Sequence, residues 1–147
     1  LFSDSDKKIE QFTGKSIVQI FKDSGEAHFR NVEEKIFCEL LERDPHIISS
    51  GGGTILSVRS RQFISDSSYS IWLKSDGDKI LSRINKKSER PLLSTGNPKD
   101  ILNQKLLERK KFYSKADFHL ENAGIPIESL IIQITENLIR EKVLSYG

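Results

Sequence analysis

Asp4 and Asp6 stand two residues apart in FSDSD, just past a short apolar piece that reads as the end of a strand. Carboxylates so placed can hold a metal, directly or through water, or accept a proton from a hydroxyl. Turn or N-cap aspartates account for the same pattern. Arg30 and Glu33 lie one turn apart near the start of a predicted helix. An i,i+3 ion pair, worth ~0.2 to 0.5 kcal/mol, explains them, and an anion-binding arginine would occupy the same place. IISSGGGTIL, residues 47 to 56, sets Gly51, Gly52 and Gly53 directly after what reads as a buried strand. Because glycine weakens strands and costs backbone entropy, three together mark a flexible turn, a positive φ, or close backbone approach to something. Arg83 and Arg90 flank a polar loop, and Arg109 lies within ERKKFYSKAD. Lys86, Lys87, Lys110 and Lys111 read as a solvated face. Arg90 differs, because Pro91-Leu92-Leu93 stiffens the backbone around one charge. His28, His46 and His119 share no ligand-like spacing, and with one cysteine a protein-built zinc site is not expected.

The elements that position these residues alternate. IEQFTGKSIVQIF, 9 to 21, reads as helix in two pieces broken near Gly14. Ser24 offers an N-cap for GEAHFRNVEEKIFCELLER, in which Phe29, Val32, Ile36, Phe37, Leu40 and Leu41 line one face. HIISS, 46 to 50, reads as a strand, 58 to 64 as a helix, and SYSIWLK, 68 to 74, as a second strand, after which Ser75-Asp76 cap KILSRINK. Residues 85 to 98 are polar and rich in turn formers, a mobile surface loop by composition. Asn97 caps and Pro98 begins a helix to about Ser114. DFHLEN is the last strand, and Pro126 opens a closing helix whose Ile127, Leu130, Ile131, Ile134, Leu138 and Ile139 share a face. Strands alternating with helices predict βαβ units, that is, an α/β protein with a parallel sheet covered by helices on both faces. In such sheets ligands bind beyond the carboxyl ends of the strands. Both SDSD and GGG fall there.

Composition bounds the function. The 147 residues suit a single domain with a real core. With 23 basic against 21 acidic residues, the net charge of +2 argues against a general nucleic-acid binder, and no apolar run reaches the ~18 to 20 residues of a membrane span. The lone Cys38 fits a reducing cytoplasm and sits among apolar helix positions, as core filler does. The sequence contains no methionine and opens on Leu1.

Taken together, FSDSD at 2 to 6, TGKSI at 13 to 17, GEAHFRNVE at 25 to 33, SGGG at 50 to 53, ERPLL at 89 to 93 and RKKFY at 109 to 113 resemble shikimate kinase. Each motif alone is weak; six in family-like order span nearly the whole chain. The resemblance implies a nucleoside-monophosphate-kinase-like P-loop fold, a three-layer arrangement around a five-stranded parallel sheet. It also implies phosphorylation of the 3-hydroxyl of shikimate by ATP with Mg2+, in chorismate and aromatic amino-acid biosynthesis. By resemblance, Asp4 lies near the magnesium, reaching it through water, and Asp6 hydrogen-bonds the shikimate hydroxyls and acts as base. Arg30 and Arg109 bind the carboxylate, and Gly52 and Gly53 touch the ring hydroxyls through their backbone, with Gly51 shaping the turn. Arg90, in a lid over residues 85–97, meets the transferring phosphate, while Arg83 and Pro126 enclose the adenine. Residue types agree with these roles. Paired guanidinium forks suit a carboxylate better than lysines do, and hydroxyls pressed close to a strand end leave no room for a β-carbon.

One family element is not in this sequence: no G-x-x-x-x-G-K-[ST] occurs, and Gly14-Lys15-Ser16 lacks the glycine-rich loop before it. In the family that loop, with a first strand and helix, precedes FSDSD. The expectation is therefore a single domain over 1–147, N-terminally incomplete, belonging to a longer kinase. Partners are expected to be shikimate and ATP, with no nucleic acid or membrane and a monomeric state. Other readings are a gluconate-type kinase of the same superfamily, a non-catalytic shikimate-binding module without nucleotide binding, and, more distantly, a nucleic-acid module.

Overall fold

The computed structural model describes residues 1–84, 97–122 and 124–144. Strand β1 (Phe2–Asp4) runs straight into helix α1 (Ser5–Thr13), because Asp4 is still extended and its Oδ1 accepts the backbone N–H groups of Asp6 (3.0 Å) and Lys7 (3.3 Å). The strand thus reaches two residues beyond the predicted Phe2, and Asp6 sits in the first helical turn. Gly14, left-handed at φ 67°, stops α1 where the break was expected, its N–H bonding Glu10 C=O.

Helix α2 (Ile17–Leu41) is capped by Ser16 and bent at Gly25, whose φ of 77° and ψ of 175° are not helical. The predicted second helix is therefore the C-terminal arm of one kinked helix. The bend brings the Phe21 and Phe29 rings to 4.7 Å and lets both arms bury apolar faces. Ile9 of α1 with Ile20, Phe29, Ile36 and Leu40 of α2 forms the core, and Ile17, Phe21, Val32 and Ile48 pack against it. Cys38 of α2 is also buried, outside that cluster, its thiol pushed up by burial.

Strand β2 (Ile47–Ser49) pairs parallel with β1, Phe2 opposite Ile47 and Asp4 opposite Ser49. Gly51–Gly53 follow, then a 3₁₀ turn (Thr54–Leu56) and helix α3 (Val58–Ser67). The strand is not buried as expected; Ile47 is 70% exposed and Phe2 is exposed beside it. Strand β3 (Ile71–Lys74) leads to α4 (Gly77–Ile84), then α5 (Pro98–Tyr113), capped by Asn97. Strand β4 (Phe118–Glu121) pairs parallel with β3, and α6 (Ile127–Arg140) closes the chain. A Ser70–Asp117 clip locks the start of that pair, the Asp117 carboxylate accepting both the Ser70 N–H (2.7 Å) and hydroxyl (2.6 Å).

The strands are parallel, as predicted, but among the described residues they form two separate pairs, β1–β2 and β3–β4, rather than one ladder. Helix α1 packs on α2, α2 on α3 and α4 on α5. The closing helix departs from its predicted face, since Ile127 and Ile131 are exposed while Leu130 and Asn137 are buried. Asn137 tolerates burial because its Oδ1 accepts the Tyr69 hydroxyl at 2.7 Å. Apart from Asn97, the predicted lid over 85–97 lies outside the described residues.

Candidate active site

The three glycines organise the site. None of them has a positive φ, so the left-handed explanation falls and close approach remains. A Cβ on Gly51 would stand 2.8 Å from Glu33 Oε1 and 2.9 Å from Asp6 Oδ1. On Gly52 it would lie 3.2 Å from Arg109 Nη1 and 3.6 Å from the Tyr113 hydroxyl. On Gly53 it would fall inside the Arg30 guanidinium, 2.6 Å from Cζ. Successive residues of one short loop thus face two carboxylates, one guanidinium with a phenol, and a second guanidinium. The room a β-carbon would need is taken by the protein's own side chains, where the expectation had assigned it to ligand hydroxyls.

The side chains arrive on three helices. Asp6 comes from the first turn of α1, Arg30 and Glu33 from the C-terminal arm of α2, and Arg109 and Tyr113 from one face of α5 at i,i+4 spacing. The loop is tied to them directly: Gly51 N–H donates to Ser5 Oγ (3.0 Å), and the Tyr113 hydroxyl donates to Gly52 C=O (2.6 Å).

Arg30 and Glu33 form the predicted pair, but not at the surface. Arg30 Nη1 donates to Glu33 Oε2 at 2.6 Å, and Glu33 is only 3% exposed. Its other oxygen accepts the Thr54 hydroxyl (3.2 Å), while Glu26 takes Arg30 Nη2 at 3.2 Å. The guanidinium is therefore held in one orientation, and the small surface value expected for this pair does not apply. Arg109 Nε is buried with no hydrogen-bond partner among the described residues, an arrangement that costs stability unless an acceptor meets it. Burial raises the Tyr113 phenol above its ordinary value, with Arg109 nearby opposing the rise, so the hydroxyl stays a donor at neutral pH.

Of the residues singled out in the sequence, Asp6, Arg30, Gly51, Gly52, Gly53 and Arg109 converge here. Asp4 is the N-cap of α1, two residues before Asp6. Among the described residues no group of three or more His, Cys, Asp or Glu side chains could hold a metal ion. Arg83 falls in the last turn of α4, and Pro126 is the exposed N-cap of α6; Arg90 lies outside the described residues. Sequence reasoning missed Tyr113 and the burial of Glu33. Arg109-x-x-x-Tyr113 at helical spacing was the available sign of the first.

Known proteins are similar to this chain in sequence and in fold. A family model described as shikimate kinase matches residues 1–139. The shikimate kinase of Bradyrhizobium diazoefficiens is 35% identical over 137 residues, covering 93% of this chain and 66% of its own length. That of Nitrobacter winogradskyi is 35% identical over 130 residues, covering 88% and 61%. The chain thus spans somewhat less than two thirds of the length of these relatives. Among solved structures, shikimate kinase from Acinetobacter baumannii in complex with shikimate superposes with a TM-score of 0.91 at 30% identity, over 97% of this chain and 80% of that one. Shikimate kinase from Aquifex aeolicus gives 0.80 at 30% identity, over 96% and 82%. These neighbours share the α/β, P-loop-kinase architecture expected from the sequence.

Proposed function

The chain belongs to the shikimate kinase family, and from that premise we propose that it transfers the γ-phosphoryl group of ATP to the 3-hydroxyl of shikimate. One observation carries the reading: Arg30 and Arg109 flank Gly53 and Gly52 on the same loop that meets the Asp6 carboxylate at Gly51. A compact ring bearing one carboxylate and several hydroxyls needs this combination. Two planar guanidinium groups take the carboxylate, the buried Arg109 Nε gaining the acceptor it lacks among the described residues. The hydroxyls meet Asp6 and the main chain of Gly52 and Gly53. That the Acinetobacter relative was solved with shikimate supports the choice of ring.

In this mechanism Asp6 accepts the proton of the attacking hydroxyl, while the arginines and glycines orient the ring for in-line attack. Arg90 neutralises charge on the transferring group, and Arg83 and Pro126 border the adenine. Mg2+ commonly takes one or two carboxylates and completes its shell with water and nucleotide phosphates. Asp4 alone fits that requirement, and Mg2+ bound there would neutralise phosphate charge. The protein acts as a cytoplasmic monomer without nucleic-acid or membrane partners. Among the described residues no helix is long and apolar enough to cross a membrane.

Coupled detection of ADP with shikimate, and with gluconate as the competing acceptor, tests the assignment. ADP formed with shikimate and not with gluconate is the expected result. Turnover of gluconate would make it a different small-molecule kinase, and shikimate binding without ADP release would make it a binding module.

A further inference from the structure

Helix α5 does more than deliver Arg109. Its last two residues both grip the segment that carries the glycines. The Tyr113 hydroxyl donates to Gly52 C=O at 2.6 Å. The Phe112 ring lies 4.2 Å beneath the Arg61 guanidinium, whose Nη1 donates to the carbonyls of Ile55 and Leu56 at 2.8 Å each. Tyr113 is itself buttressed, stacking on Trp72 of β3 with ring centres 5.7 Å apart, while Trp72 meets His119 of β4 edge-on at 5.3 Å. The chain of contacts runs from the β3–β4 pair, through one phenol, to the carbonyl of the central glycine.

We infer that Tyr113 is a positioning residue for the substrate: by holding Gly52 C=O it sets the spacing between the glycine main chain and the Arg109 guanidinium, and so the affinity for the ring acid. The inference deepens the shikimate reading and rests on it. Gly52 has no side chain to fix its own peptide plane, and a Cβ there would press within 3.2 Å of Arg109 Nη1. Within the segment the Gly51 and Gly53 carbonyls accept the Thr54 and Leu56 N–H groups, whereas the Gly52 carbonyl takes its donor from Tyr113. Borne on the helix that carries Arg109, that donor registers both halves of the grip together. The raised phenol keeps that donor protonated at neutral pH.

Tyr113→Phe keeps the ring and its stacking on Trp72 but removes the donor. Calorimetric titration with shikimate should show affinity weakened roughly 5- to 10-fold, the scale of one neutral hydrogen bond, with Tm within about 2 °C of the parent. In turnover, KM for shikimate should rise in step while kcat and KM for ATP stay within about twofold. A parent that binds shikimate beside a variant of equal affinity overturns the inference and leaves the functional reading intact. So does a variant whose lost affinity comes with a Tm many degrees lower, since that is a structural role. A parent that ignores shikimate removes the functional reading and this inference with it. As a second probe, Gly52→Ala should lower affinity in the parent and add little in Tyr113→Phe, because both act on one spacing; full additivity would also overturn the inference.

Discussion

Arg30 Nη1 lies 2.6 Å from Glu33 Oε2, and the glutamate is buried while the guanidinium stays partly open. The charge facing the glycine loop is thus anchored from behind. Glu33 is held in turn by the Thr54 hydroxyl just past that loop, so the pair joins α2 to the segment after β2. Glu33→Ala should cost about 2 to 4 kcal/mol in urea unfolding, below or at the scale for breaking a buried pair because Arg30 can re-solvate. It should also weaken shikimate binding by releasing Arg30. A variant as stable as the parent would mean the pair does not organise the site.

The glycines separate space from conformation. Gly53→Ala would drive a methyl into the Arg30 guanidinium, and shikimate affinity should fall by roughly tenfold or more, as when a charged hydrogen bond is lost. Gly25→Ala meets open space but must adopt a φ of 77° with a ψ of 175°, so it should cost about 1 to 3 kcal/mol of stability and leave binding unchanged. Paired thermal melts and titrations check both. Equal effects of the two substitutions on binding would contradict the assignment.

The start of α4 should be acid-sensitive. Asp76 Oδ1 accepts the Lys79 N–H at 2.8 Å, and that bond holds its carboxyl below the ordinary 3.8. A folded value depressed below the unfolded one stabilises fully above that unfolded value, and the contribution fades as pH falls through the folded one. Asp23, lowered by Lys15 and Gln19, acts in the same direction. Asp76→Asn should therefore narrow the stability difference between about pH 6 and about pH 3. An unchanged difference would deny the cap its charge.

Much of this was legible in the residues. Asn97-Pro98 and Asp76 announced their helix starts through cap chemistry, and Phe29 to Leu40 announced a buried face through spacing. What stayed hidden depends on long-range packing. Nothing local says that Ile47 stays exposed or that Asn137 is buried against Tyr69, 68 residues away. The Arg30–Glu33 spacing predicts a pair but not its burial, which comes from Thr54 and Gly51 closing over Glu33. Likewise, the triplet 51–53 marked a close approach without saying to what. Its neighbours come from three helices, and Tyr113 lies 61 residues from the carbonyl it holds.

The central claim is that Arg30 and Arg109 grip a carboxylate. Calorimetric titration of the protein and of Arg30→Ala with shikimate and with its methyl ester tests it most directly. Shikimate should bind the parent, and Arg30→Ala should lose about 1.5 to 3 kcal/mol, the worth of a charged hydrogen bond. The ester should bind the parent weakly and be nearly indifferent to the substitution. Equal binding of acid and ester, or an Arg30→Ala affinity for shikimate matching the parent's, would contradict the account.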